Sequence, residues 1–142
     1  MTSRATRLQP AVDQAKQRSD DSLAQMAAQQ IQLAKAEHQL TELVRYREEY
    51  AVASGGAMAI SALLNRQIFV ERIDRAIVQQ TAEIGRLQRL CEQGRSRWQQ
   101  AHARESALDS VVANYRAEER QAEDRREQAE SDEHAQTRRS RD

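Results

Sequence analysis

The sequence predicts an all-α protein, two long helices folded back on each other as an antiparallel coiled-coil hairpin. Three observations predict it. First, 142 residues contain a single proline, Pro10, and four glycines, Gly55, Gly56, Gly85 and Gly94, so almost the whole chain lacks the residues that interrupt helices. Second, two apolar stripes advance in alternating steps of three and four residues, the spacing of a coiled-coil seam. Third, the stripes are separated by Ser54-Gly55-Gly56, where a glycine can take the left-handed conformation that ends a helix without a Cβ penalty.

The first stripe starts at Leu8 and continues through Val12, Ala15, Ser19, Ser22, Met26, Gln29, Leu33, Ala36, Leu40, Leu43, Arg47 and Tyr50. Its early half is weak, because Ser19, Ser22 and Gln29 stand where Leu or Ile packs best. Helix one is therefore expected over about 10–53, fraying near its start, with a turn over about 54–64. The second stripe is longer and more apolar: Val70, Ile73, Ile77, Gln80, Ile84, Leu87, Cys91, Gly94, Trp98, Ala101, Glu105, Leu108, Val112 and Tyr115. Helix two is expected over about 65–130, and residues 131–142 as a disordered tail, because after Tyr115 the apolar stripe gives way to mixed charge. The whole forms one coiled-coil domain, 1–142.

At 1.5 Å per residue the arms measure roughly 65 and 100 Å. Counting outward from the turn, antiparallel pairing sets Tyr50 near Ile68 and Val12 near Glu105. That leaves Val111, Val112 and Tyr115 with few partners inside the chain, a surface free for another protein.

The composition limits function. Aromatic residues make up 4% and charged residues 31%, the usage of long solvated helices and not of a thick globular core. Lys plus Arg and Asp plus Glu both number 22, so no net field favours a nucleic-acid backbone or an anionic membrane, and no nucleic-acid partner is expected. The most apolar stretch, residues 51–64, is too short and too interrupted to span a bilayer core of roughly 30 Å. Any membrane contact is expected to be peripheral. The lone Cys91 and the lack of a continuous apolar N-terminal run suggest a reducing cytoplasm.

Chemistry is equally sparse. His38, His102 and His134 are far apart, with no metal-ligand spacing among them or with Cys91. Cys91 lies on the seam of helix two, where a thiol fills space. Adjacent carboxylates such as Glu48-Glu49 and Glu118-Glu119 sit on thin helices with no pocket to desolvate them. Gly55-Gly56 is followed by Ala-Met-Ala and not by the Lys-Ser or Lys-Thr of a phosphate loop. Neither enzyme activity nor a cofactor is expected. Arg86 with Arg89, and Arg95 with Arg97, are interleaved with Glu83, Glu92 and Glu105 and read as a solvated face.

Three of the five aromatics, Tyr46, Tyr50 and Phe69, gather near the turn. They are either local core or an exposed contact patch, since a two-helix hairpin has one seam and cannot hide every apolar residue. Tyr46 and Phe69 are the better candidates for exposure.

These residues carry a resemblance. Gln39-Leu40-x-x-Leu43-x-x-Tyr46-x-x-x-Tyr50, followed by Asn65-x-Gln67-x-Phe69-x-x-x-Ile73-x-x-Ala76-Ile77-x-Gln79 and later Trp98, resembles the FliJ family of flagellar export proteins over roughly residues 10–126. The resemblance implies a non-enzymatic component of the flagellar type III export apparatus, similar in shape to the two-helix stalk of the rotary ATPase gamma subunit. It implies three partners: the export ATPase hexamer, the cytoplasmic domain of the export gate, and export chaperones. It also implies a cytoplasmic chain that meets the inner face of the cell membrane only through the export apparatus. The gate face it implies is Gln39, Leu43, Tyr46, Tyr50, Phe69, Ile73, Ala76 and Gln80. For the ATPase ring, the expected surface is the unpaired Val111, Val112 and Tyr115 with Leu8 and Val12 nearby.

Arg66 departs from the family pattern, standing where an aromatic is common, and Gly85 and Gly94 weaken helix two by about 1 kcal/mol each relative to alanine. Two other readings share the hairpin. One is the stalk of a virulence-type secretion system; the other is a generic scaffold that homodimerises through unpaired stripes, where the present reading expects a monomer.

Overall fold

The computed structural model describes residues 3–52 and 59–141. They form two helices, α1 over Arg4–Val52 and α2 over Ile60–Arg141, packed against each other with no strand among the described residues. The chain divides into two compact units. One joins Met1–Asp21 with Gln99–Asp142, and the other is Ser22–Trp98.

Helix α1 starts earlier than the expected residue 10. Ser3 caps it, its Oγ accepting a hydrogen bond from the Thr6 amide at 3.1 Å while the Arg7 amide reaches the Ser3 carbonyl at 3.0 Å. This is the N-cap arrangement that satisfies orphan first-turn donors. Pro10 consequently lies inside the helix, where it removes one backbone bond, and the flanking Ala5 and Val12 are held in the core. The glycine pair expected to make the turn lies outside the described residues. Residues 60–64, expected as part of the turn, belong to α2, whose first turn is closed by the amides of Ala62 and Leu63 on the Ala59 carbonyl. The run Ile-Ser-Ala-Leu-Leu contains good helix formers and no breaker.

The expected tail is also helical, to Arg141. From residue 120 onward every described residue is exposed, so packing does not hold this segment. Local terms do: Ala, Glu, Gln and Arg are good helix formers, the Gln128 amide donates to Asp132 at 3.2 Å, and Arg138, Arg139 and Arg141 lie in the last turn, where cations meet the negative end of the helix dipole.

Both seams are where the sequence put them. On α1, every stripe residue from Leu8 to Leu43 is buried or half-buried, and only Arg47 and Tyr50 at its end are exposed. On α2, every stripe residue from Val70 to Tyr115 is buried or half-buried. The buried positions differ in size. From α1 come mainly small residues, Ala5, Ala15, Ser19 and Ala36 with Val12, whereas α2 supplies Ile73, Ile84, Leu87 and Val112 together with Gly94. Large side chains of one helix filling space left by small ones of the other is how a two-helix seam reaches interior packing density.

In the unit containing both ends, Ala5, Val12 and Val112 form a buried cluster flanked by Leu8, Leu108 and Tyr115. The Ala5 amide donates to Glu119 Oε1 at 3.4 Å, Arg116 Nη2 donates to Gln9 Oε1 at 3.3 Å, and the Arg4 guanidinium lies 5.7 Å from the Tyr115 ring centre. The helices are antiparallel here, and Val12 meets Val112, one heptad beyond the expected Glu105. A heptad shift keeps both seams facing, so periodicity alone does not choose between these pairings. Val112 and Tyr115 are therefore partnered within the chain, correcting the expectation that they are not.

Candidate partner-binding surfaces

In the Ser22–Trp98 unit the core is Ala36, Ile84 and Leu87, with Leu33, Leu40 and Leu90 packed on it. Seam aliphatics continue along both helices until Ile73, which is buried at 7% exposure. Beyond it the seam opens. Tyr46, Tyr50 and Phe69 are 48%, 40% and 42% exposed, and the Tyr50 and Phe69 rings meet at 4.5 Å between centroids, tilted by 43°. A tilted contact at that distance is a favourable aromatic geometry. The alternatives of core and contact patch thus resolve into an accessible aromatic ledge whose two halves come from different helices.

The eight residues of the implied gate face have different environments. Gln39 is exposed, Leu43, Ala76 and Gln80 are half-buried, and Ile73 is core. Gln80 Nε2 donates to the Ala36 carbonyl at 2.9 Å and to Gln39 Oε1 at 3.1 Å, so both of its protons are used across the helix pair. Arg47 Nε donates to Asp74 Oδ1 in an ion pair that also crosses between the helices. Arg45 is held along its own helix by Glu42 at 2.6 Å and Glu49 at 3.8 Å.

Four further aliphatics near the ledge are exposed: Ile60, Leu63, Leu64 and Ile68, at 77%, 48%, 55% and 48%. Ile60, Leu64 and Ile68 recur every four residues; the sequence set Ile68 beside Tyr50, but residues 60–64 were assigned to the turn. Arg66 lies among them. Its two terminal nitrogens are covered from solvent and find no acceptor among the described residues.

The surface expected for the ATPase ring fares differently. Val12 and Val112 are core, Leu8 and Tyr115 pack on that core, and Val111 alone is exposed, at 38%. The accessible feature of this unit is residues 120–141 of α2, which continue past the Ala5–Glu119 contact. Between Glu118 and Glu133 eight carboxylates stand against three arginines, and Arg138, Arg139 and Arg141 follow.

Acid–base chemistry has little to build on. Glu83 is held below the ordinary carboxylate range by its hydrogen bond from Arg86, and Arg86 is raised by the same bond. This is a surface ion pair of the i,i+3 kind. Among the described residues no group of three His, Cys, Asp or Glu is placed to hold a metal ion, and no helix is long and apolar enough to cross a membrane.

These features define an α-helical hairpin whose distinctive groups lie on open faces. A family model described as "Flagellar FliJ protein" matches residues 3–142, and the chain belongs to that family. It is accordingly a component of the flagellar protein export apparatus. No curated protein and no solved structure matches it.

Proposed function

We propose that this chain is a non-enzymatic stalk of the flagellar export apparatus that binds two partners through two separate faces. The ledge of Tyr46, Tyr50 and Phe69 contacts the cytoplasmic domain of the export gate. Residues 120–141 with Val111 engage the export ATPase ring and promote its assembly. The chain also escorts export chaperones, and it reaches the membrane only through these partners.

The observation that carries the reading is the exposure of three aromatics on one ledge. Large aromatic side chains that stay accessible, here Tyr46 and the contacting pair Tyr50 and Phe69, are a residue type that anchors protein contacts. The end-to-end pairing supports moving the ring contact away from Val12 and Val112, because a side chain already in the core is not available to a partner. A continuous helix with a dense acidic stretch suits steering toward a basic surface.

The test is a pull-down of the full chain against the ATPase and the gate domain. Tyr46→Ala with Phe69→Ala is expected to lose the gate and keep the ATPase. Removal of residues 120–142 is expected to do the reverse and to abolish stimulation of ATP turnover. Equal binding of all three proteins to both partners would sink the proposal.

A further inference from the structure

Aliphatic packing is non-directional, and the residues nearest the ledge on the seam, Leu40, Leu43, Ile73 and Ile77, do not by themselves fix how far one helix slides along the other. A slip of one heptad leaves each seam facing its partner. The ledge does not survive such a slip, because Tyr50 and Phe69 come from different helices and stack in one register only. Something directional has to choose it.

We infer that two polar clamps make that choice: Gln80 on Ala36 and Gln39, and Arg47 on Asp74. They are positioning groups for the aromatic ledge, an inference that rests on the reading of the ledge as the gate-binding face. The Gln80 clamp ties an α2 side chain to the Ala36 carbonyl. Backbone carbonyls recur along α1 and Gln32 stands one heptad before Gln39, so this clamp sets the position within a heptad. The Arg47–Asp74 pair, which a one-heptad slip would replace with Leu40 against Asp74, separates that heptad from the next. The second amide proton of Gln80 goes to Gln39 Oε1, occupying an amide that the family resemblance assigns to the partner. Arg47 stands three residues from Tyr50, and Asp74 five from Phe69, so the ion pair sits beside the stack on both helices. Exposed ion pairs contribute little to stability. A polar group at a seam instead specifies register, often at some cost in stability. Gln80 occupies such a seam position, where Leu would pack better.

Phe69 is the only phenylalanine in the chain, so uniform 4-fluorophenylalanine gives one ¹⁹F resonance that reports its stack with Tyr50. The full chain is compared with Tyr50→Ala, with Gln80→Leu, Asp74→Ala, and with the charge exchange Arg47→Asp, Asp74→Arg. The clamp double variant is expected to keep its helical circular dichroism and melting temperature while its resonance splits or moves toward the Tyr50→Ala position. Its affinity for the gate domain falls about tenfold, in proportion to the fraction that leaves the competent register. The charge exchange, which restores the ion pair and should fold even if the double variant does not, is expected to return the single wild-type resonance. An unmoved resonance in the double variant overturns the inference, and if affinity falls nonetheless, the clamp residues are contacts. A displaced resonance in the charge exchange overturns the Arg47 clamp. The resonance is read without any partner, so a gate domain that fails to bind wild type defeats the functional reading and leaves the register decided separately.

Discussion

Gly85 and Gly94 occupy the same helix and carry the same intrinsic penalty, yet their surroundings give them opposite roles. A Cβ at Gly85 would meet nothing closer than Arg89 Nη1 at 3.7 Å. Gly85→Ala should therefore raise stability by about 1 kcal/mol, seen as a higher melting temperature. At Gly94 a Cβ would overlap Gln29 Oε1 and lie 3.3 Å from its Cδ. That oxygen is already buried and finds no hydrogen-bond partner among the described residues, so the side chain has little room to retreat. Gly94→Ala alone should gain nothing, but in a Gln29→Ala background it should recover about 1 kcal/mol. Additive effects in that double-mutant cycle, followed by thermal unfolding, would show that the two residues do not compete for space.

The helices show which parts of a fold a sequence can reveal. Both seams were legible because a stripe at coiled-coil spacing over many heptads has few alternative explanations, and polar members such as Ser19, Gln29 and Gln80 did not break it. The pairing of Val12 was not legible, since Glu105 and Val112 are a heptad apart and equally in phase. At α1 the start was misplaced because Pro10 looked like a boundary, whereas the Ser3 cap lay seven residues upstream. The C-terminal segment was assigned to disorder from its missing apolar stripe, a sound guide to packing but not to local helix propensity. Residues 120–141 are helical and wholly exposed, so their helix should be marginal and independent of the core. Hydrogen exchange should find their amides nearly unprotected beside slowly exchanging ones at Val112 and Leu87. Truncation after Glu119 should leave the melting temperature unchanged, and a marked drop would mean that the segment packs on the rest.

At the scale of the whole molecule the question is whether the chain completes itself or needs a second copy. A homodimeric scaffold gained its appeal from unpaired apolar stripes, and of the residues expected to lack partners Val112 is instead buried with Ala5 and Val12, Tyr115 packs on them, and Val111 alone stays exposed. What remains exposed includes Ile31, Val78 and the Ile60, Leu64 and Ile68 row, and a stable dimer would have to draw roughly 800 Å² from each partner. Charge does not oppose association, because the formal net charge is zero and the isoelectric point lies near 6.9. Without self-repulsion, weak contact between the acidic 118–133 stretch of one molecule and the arginines of another is least opposed close to that pH. Added salt, which screens such contacts beyond about 10 Å at 0.1 M, should abolish it, as should moving pH to either side, where all copies carry the same sign. Light scattering at physiological salt is therefore expected to return the 16.2 kDa monomer at every concentration tested. A doubled mass that persists in high salt and disappears on Leu64→Lys, Ile68→Lys would place the second copy on the exposed aliphatic row, and the proposed stalk would have to be rebuilt as a dimer.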